Sequence, residues 1–424
     1  MAEITYLSKI DATRLSKNWS TTGVEEITDY TVSWADLVAA GFGEGDDVFF
    51  VVRLSVGGFD KSEHMKDRMY HGTSFAGATL FDGSESKIEP NVAAGHLLAH
   101  YGWITRHTLI LDENIYVQRG NDYGTHIQYE DDFSLLVLRL NDLTENTDFL
   151  YDVEAHSGNA PADYDTSGAA VTVPSGGDDW LIIANTSWFV DDDSTFMISA
   201  LNVGGVHVSE MQWAGEDAYE ERTHLFIHYM EAVSSPTEVQ VLYRAPSETH
   251  DCTRTAVFAL RLNRFRDHAG VRSTNAVTHS VVNTFQEVTG LPAYVHGGTG
   301  ANPLFIFAST KYQTPGDAYK GPAARIQVGG SDWPVSGFAE SGGAFTHDAN
   351  DKIPLVLFGA KAESAATLDI DFDVLERNDI SPNYSHVEHI LVAFSAALGA
   401  GGGAAGAYGL ANENRRRMRN LLTR

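Results

Sequence analysis

The chain has 424 residues, of which 43% are hydrophobic, which is enough for two or three domains with cores of their own. Its 57 acidic residues outnumber its 29 lysines and arginines and give a net charge of -28, which disfavours a nucleic-acid partner because phosphate contacts need clustered basic side chains. Cys252 is the single cysteine, which excludes an intrachain disulfide framework and a zinc site built from several cysteines.

The beginning of the chain offers one helix and no export signal. Residues 1–4 contain neither the basic nor the apolar stretch of a secretory signal, so export by that route is not expected. Ser33 precedes a short segment up to Ala40 that can form a helix, because a serine side chain caps the first turn. Helical periodicity is otherwise scarce.

Short apolar runs between Gly, Asp, Asn and Pro clusters predict a chain that is almost entirely β. One apolar run recurs three times at similar separations, at residues 48–52, 180–184 and 304–308. A recurrence at a fixed separation is the sequence signature of internal repeats.

Two further landmarks follow each of these runs in the same order. The first is an alternating strand that ends in an arginine, namely Arg119, Arg244 or Arg377. The second is a nearly continuous apolar run, which is typical of a strand buried on both faces. These runs cover residues 135–140, 257–262 and 390–394.

The ordered landmarks predict three tandem β-sandwich modules of the jelly-roll or immunoglobulin-like type. The alternative is a chance recurrence, since all β-proteins space their strands regularly. The predicted units are module 1 with an N-terminal extension at 1–142, module 2 at 143–265, module 3 at 266–398, and a Gly/Ala-rich linker with a basic tail at 399–424.

Modules 2 and 3 also share an interior turn. Residues 202–205 and 327–330 both carry the pattern Val-Gly-Gly, and a tryptophan follows each turn, Trp213 and Trp333. Two adjacent glycines favour a tight hairpin, because they adopt positive φ without steric cost.

Catalytic and cofactor motifs are weak. Residues 401–406 match the glycine pattern of dinucleotide folds, but the helix, strand and acidic residue that should follow are missing. The 17 histidines, among them His107, are dispersed. His224 and His228 have the spacing of one strand face, and a solvated or hydrogen-bonded pair is favoured there over metal ligation. No catalytic residue, cofactor site or metal ligand is therefore assigned.

Two acidic features leave alternatives open. Residues 191–193 are three consecutive aspartates, which fit an exposed loop better than a calcium site because no glycine or bidentate glutamate has the required spacing. Among 57 acidic residues, a carboxylate pair for glycoside hydrolysis is compatible with the sequence.

The last residues suggest a tethered docking peptide. Residues 390–411 are uncharged, but the second half of this stretch is Gly and Ala, so no membrane span is expected. Gly-rich sequence is flexible, and the basic and apolar side chains after it suit an acidic partner such as a neighbouring copy. The predicted partner-binding residues are Arg415, Arg416, Arg417, Arg419, Leu421 and Leu422.

In its repeated β modules, Gly/Ala linker and basic tail, the chain resembles virion structural proteins of tailed bacteriophages. This resemblance implies a non-enzymatic virion component of the tail, the fibre or the head surface, which assembles in many copies. The implied partners are copies of itself, other virion proteins and host-surface glycans. The rival hypotheses are a carbohydrate-active enzyme or carbohydrate-binding protein with repeated modules, and a bacterial adhesin.

Overall fold

A computed structural model describes most of the chain and defines three successive sets of strands. The aspartates 191–193, the linker and the whole basic tail lie outside the described residues. The described ranges are 4–11, 17–19, 23–58, 65–88, 97–121, 127–190, 196–214, 220–246, 250–274, 277–278, 284–288, 294–295, 302–313, 321–334, 341–342, 352–363, 367–377 and 385–395.

Within its described ranges, the first module contains ten strands in two antiparallel sheets, with one helix between the third and fourth strands. Its inner sheet has the order β1-β10-β4-β8, and its outer sheet has the order β3-β9-β5-β6. The strands are β1 Tyr6–Asp11, β2 Lys17–Trp19, β3 Gly23–Glu26, β4 Asp47–Gly58, β5 Met65–Gly72, β6 Thr79–Leu80, β7 Ser86–Ile88, β8 Leu97–Thr108, β9 Asn114–Asn121 and β10 Ile127–Arg139.

Within the described residues, the second module contains eight strands. The inner order is β11-β18-β13-β16 and the outer order is β12-β17-β14-β15. The outer sheet is joined to β27 of the third module by a single pair, Gln212 with Lys352. The strands are β11 Phe149–Ala155, β12 Ala170–Val173, β13 Asp178–Val190, β14 Phe196–Val203, β15 Val206–Ala214, β16 Glu220–Val233, β17 Thr237–Arg244 and β18 Asp251–Arg261.

The third module repeats this plan with four additional short strands. The inner order is β19-β30-β23-β27 and the outer order is β21-β29-β24-β25. The strands are β19 His268–Ser273, β20 Val277–Thr278, β21 Gln286–Glu287, β22 Tyr294–Val295, β23 Asn302–Gln313, β24 Gly321–Val328, β25 Ser331–Asp332, β26 Ser341–Gly342, β27 Lys352–Glu363, β28 Thr367–Leu368, β29 Ile370–Arg377 and β30 Ser385–Ser395.

The strand order distinguishes between the two predicted sandwich types. The eight principal strands of each module are those named in its inner and outer orders. Numbered along the chain, they form one sheet in the order 1-8-3-6 and a second sheet in the order 2-7-4-5. This nesting is the double Greek key of the jelly roll. The all-β prediction is confirmed, and the jelly roll rather than the immunoglobulin-like fold describes all three modules.

The inner sheets are buried on both faces, which explains their continuous apolar runs. In β4, Val48, Phe50 and Val52 pack into the core of their own sandwich. Phe49 and Val51 alternate with them and point into a second core. This second core receives side chains from the inner sheets of all three modules, so it is one core shared by the whole molecule.

The three inner sheets close a ring around this shared core. The Arg106 guanidinium on β8 lies 5.6 Å from the ring centroid of Phe149, which begins β11. Tyr229 on β16 packs against Gly270 on β19. On β27, the amide of Ala360 donates to Ser8 Oγ on β1 at 3.2 Å. Each inner sheet therefore contacts the next, and the third module returns to the first.

Local sequence signals account for the helix and for two hairpins. The helix α1 covers Trp34–Ala39 and is capped by Ser33, as predicted. Ser33 and Asp36 also form a reciprocal capping box at its start. Gly204 and Gly205 connect β14 to β15 with φ values of 60° and 84°, and Gly329 has the same role in the third module at 59°. In the part of the chain that the structure describes, 3₁₀-helices lie at Phe75–Gly77, Leu140–Asp142 and Leu262–Arg264.

Within the described ranges, no helix has the length and apolar character needed to cross a membrane. The apolar run that begins at Ile390 lies in strand β30 as far as Ser395.

Candidate functional site

The first module brings together two histidines and a glutamate that are distant in sequence. His71 Nδ1 lies 2.7 Å from Glu113 Oε1, and His107 Nε2 lies 3.0 Å from Glu113 Oε2. One ligand-type atom from each of the three residues lies within 4.8 Å of the other two. We call this group the His–His–Glu cluster.

Strand register places the three side chains. His71 is near the end of β5 in the outer sheet and pairs with Ile115 on β9. His107 is near the end of β8 in the inner sheet and pairs with Val48. Glu113 lies in the turn that leads from β8 into β9. The cluster therefore bridges the two sheets at one end of the sandwich.

Glu113 is the charged centre of the cluster. Its side chain is completely buried, and burial raises the pKa of a carboxyl group. Hydrogen bonds from His107 and His71 and from the amide of Ile110 outweigh this effect and lower the pKa of Glu113 to about 2. The group is therefore a carboxylate at neutral pH, and a carboxylate only accepts hydrogen bonds.

It follows that both imidazoles donate to Glu113. His71 carries its proton on Nδ1 and His107 carries its proton on Nε2 in this arrangement. The Phe81 ring covers the histidines, with its centroid 4.4 Å from that of His71 and 5.2 Å from that of His107. Both histidines nevertheless keep about a fifth of their side-chain surface accessible, 21% and 18%.

A cleft at the junction of the first and second modules lies beside the cluster. It has a volume of about 540 Å³, and His107 forms part of its wall. The other lining residues are Asp47, Asp82, Thr105, Arg106, Thr108, Tyr151, Val153 and Arg254.

The two arginines of this cleft already have protein partners. Arg106 makes bidentate hydrogen bonds to Asp47 and contacts Glu145, and these hydrogen bonds raise the pKa of Arg106. Arg254 donates to Asn185 Oδ1 at 3.1 Å and lies over the Trp103 ring. The arginines therefore hold the module junction together as well as lining the cleft.

His224 and His228 lie on the same strand, β16, and both are buried. The expectation of a solvated pair is wrong, because β16 belongs to an inner sheet. His224 Nδ1 lies 3.0 Å from Ser199 Oγ, which confirms the hydrogen-bonded alternative for this residue. Burial and the nearby Arg272 lower the pKa of His228 to about 3.

The predicted docking residues, Arg415 to Arg417, Arg419, Leu421 and Leu422, lie outside the described residues, as do the aspartates 191–193. Both assignments remain predictions.

The sequence reasoning did not find His71 or Glu113, and it counted His107 among dispersed histidines. The available signal was the six-residue spacing of His107 and Glu113 across a turn. His71 lies 42 residues from Glu113, and only the register of β5 and β9 brings it close.

Comparisons with known proteins identify no family. No protein-family model matches the chain, and no curated protein matches it. Among solved structures, PNGF-II is 8% identical, with 60% of this chain and 66% of that chain covered and a TM-score of 0.24.

Two other solved structures match with similarly low scores. A chain from a structure described as the triple jelly roll fold and turret assembly in an archaeal virus is 10% identical over 89% of this chain and 90% of its own, with a TM-score of 0.19. The tandem CBM22 domains of Paenibacillus barcinonensis Xyn10C are 8% identical over 61% of this chain and 98% of their own, with a TM-score of 0.20. At these scores, none of the similarities bears on function.

Proposed function

We propose that the protein is a non-enzymatic structural subunit of a tailed-phage virion, located in the tail or fibre apparatus or on the head surface, where it assembles in many copies. The observation that carries this proposal is the closed ring of three jelly rolls around one core. Each module packs against the other two and therefore has little freedom to move. A rigid protein suits repeated packing against identical neighbours.

The polar networks of the second module support a structural role. Tyr243 Oη contacts His156 Nδ1 at 3.2 Å and Asp165 Oδ2 at 3.1 Å, and His156 Nε2 contacts Thr255. Both ring nitrogens of His156 therefore have protein partners. Burial raises the pKa of Cys252, so its thiol is not activated as a nucleophile.

The acidic surface and the basic tail suggest how copies associate. Because the net charge is -28, the surface of each copy attracts cationic peptides. We propose that Arg415, Arg416, Arg417 and Arg419, with Leu421 and Leu422, dock on a neighbouring copy. Removal of residues 412–424 is expected to leave the jelly rolls folded and to weaken assembly, and assembly of the intact chain should weaken in high salt.

The test of the assembly proposal is direct imaging of the purified full-length protein. Electron microscopy over a range of protein and salt concentrations is expected to show regular multi-copy particles, rings or fibres. A protein that stays monomeric throughout, and that cleaves a polysaccharide in a reaction abolished by one Asp or Glu substitution, would refute the proposal.

The second candidate function is binding of a host-surface glycan, and the cleft between the first two modules favours it. Asp47, Asp82 and Tyr151 provide carboxylate and hydroxyl groups there, which are the groups that bind sugar hydroxyls. A glycan array with the intact protein and with Asp82→Ala tests this role. Equal signals from both proteins would exclude the cleft as the binding site.

A further inference from the structure

We propose that His71, His107 and Glu113 form a binding site for one divalent transition-metal ion of the zinc class. Two imidazoles and a carboxylate are a ligand set that suits Zn²⁺ and related ions. The nitrogen–oxygen separations are 2.7 and 3.0 Å. A small outward movement brings them to about 3.4 Å, which is the spacing between neighbouring ligands around a tetrahedral ion with bonds of about 2.1 Å. Metal binding at this site goes beyond the proposed virion role and does not depend on it.

The hydrogen bonds of the cluster can be exchanged for bonds to a metal ion. The two protons that the imidazoles donate to Glu113 lie between the ligand atoms, where the ion would bind. When a cation binds, His71 moves its proton from Nδ1 to Nε2 and His107 moves its proton from Nε2 to Nδ1 through solvent, so that a nitrogen lone pair of each imidazole faces the ion. The accessible fifth of each histidine gives the ion a path from solvent and leaves room for a water ligand.

The second module shows that the jelly roll does not require these histidines. Arg139 ends β10 and Arg261 ends β18, which are equivalent strands of the first and second modules. Val48 pairs with Arg139 and Trp180 pairs with Arg261, so Trp180 corresponds to Val48. The partner of Trp180 on β16 is Met230, which therefore corresponds to His107.

The outer sheet of the second module has no histidine at the corresponding position. In the first module, the core-facing pair nearest the cluster is His71 with Ile115. In the second module, the last core-facing pair of β14 is Val203 with Val239. His71 therefore corresponds to Val203, and Glu113 corresponds to Thr237.

A bound ion would connect the two sheets of one sandwich. His71 belongs to the outer sheet, His107 belongs to the inner sheet, and Glu113 lies in the turn between them. His107 also lines the cleft at the junction with the second module. The ion would therefore stabilise the end of the first jelly roll that faces this junction.

The experiment uses tag-free full-length protein treated with EDTA and then dialysed. Isothermal titration with Zn²⁺ at pH 7.5 is expected to saturate at one equivalent, whereas Mg²⁺, which prefers oxygen ligands, should give no signal. Co²⁺ provides a second readout, because coordination by nitrogen ligands changes its visible absorption.

The variant pair His71→Asn with His107→Met removes both imidazoles, and methionine is the residue that the second module has at the position of His107. It is expected to weaken Zn²⁺ binding at least a hundredfold, and Glu113→Gln should weaken it at least tenfold. The control is His207→Asn, which removes an exposed histidine far from the cluster in sequence. Folding of each variant is checked by circular dichroism.

Absence of saturable Zn²⁺ binding to the wild-type protein would overturn the proposal. The same conclusion follows if folded His71→Asn/His107→Met protein, or folded Glu113→Gln protein, binds Zn²⁺ as tightly as the His207→Asn control.

Discussion

Phe49 of the first module stacks on Phe258 of the second, with ring centroids 3.9 Å apart and ring planes inclined by 14°. Both residues belong to the shared core and have no exposed surface. Since this core contains side chains from all three inner sheets, loss of one contact should affect the stability of the whole molecule.

The first prediction concerns this contact. Phe258→Ala is expected to lower the free energy of unfolding by about 3–5 kcal/mol, because truncation of a buried aromatic ring leaves a cavity. Val206→Ala, at a side chain that is 62% exposed, is the control and should have little effect. Chemical denaturation followed by both tryptophan fluorescence and circular dichroism measures the change. Separate transitions for the modules would contradict a shared cooperative core.

The second prediction tests the close approach between the second and third modules. A Cβ atom at Gly270 would lie 2.3–2.6 Å from three atoms of the Tyr229 ring. The ring is anchored, because Tyr229 Oη donates to Asp179 Oδ2 at 2.8 Å. Gly270→Ala should therefore destabilise the protein by about 1–3 kcal/mol. Gly43→Ala is the matched control, since nothing lies within 4 Å of its added Cβ atom.

A third prediction concerns a buried ion pair in the first module. Arg119 Nε donates to Asp67 Oδ1 at 2.7 Å, and both side chains are at most 1% exposed. Asp67→Asn should cost about 3–5 kcal/mol of stability, because it removes the carboxylate charge that faces a buried guanidinium. Lys361→Gln removes a half-exposed pair with Glu363 and should change the unfolding free energy by less than about 1 kcal/mol. Equal effects of the two substitutions would argue against this explanation.

The fourth prediction is a pH dependence caused by His228. Its pKa is about 3 in the folded protein and 6.5 in a model peptide, so the unfolded chain binds a proton throughout this interval and the folded chain does not. The stability contribution is complete above pH 6.5 and falls as the pH decreases towards 3, by at most about 1.4 kcal/mol per pH unit.

His228→Gln should reduce this slope, because an amide does not titrate in the interval. Urea denaturation at pH 7.5, 6.0 and 5.0 provides the comparison. Identical slopes for the wild-type protein and the variant would show that His228 is not responsible.

The sequence predicts the inner strands well because their signal is local. The run 48–52 lies in β4, 180–184 lies in β13 and 304–308 lies in β23. A strand with apolar residues on both faces needs cover on both sides, which the sequence shows without knowledge of the covering element.

The candidate site depends on information that is not local. Whether His71 meets Glu113 depends on the register of β5 against β9, and a shift of one residue would turn His71 to the opposite face. The ring depends on contacts such as that between Gly270 and Tyr229, which neither residue type signals by itself. Other conclusions need no structure. Because Cys252 is the single cysteine, the sequence by itself excludes an intrachain disulfide and a zinc site built from several cysteines.

The repeated strand order has a consequence for the ancestry of the chain. All three modules place their eight principal strands in the same two orders, which is the pattern that fusion of three copies of one jelly-roll gene leaves. Copies joined in one gene are released from sequence identity. A histidine at position 107 is therefore compatible with Met230 at the same register position of the second module.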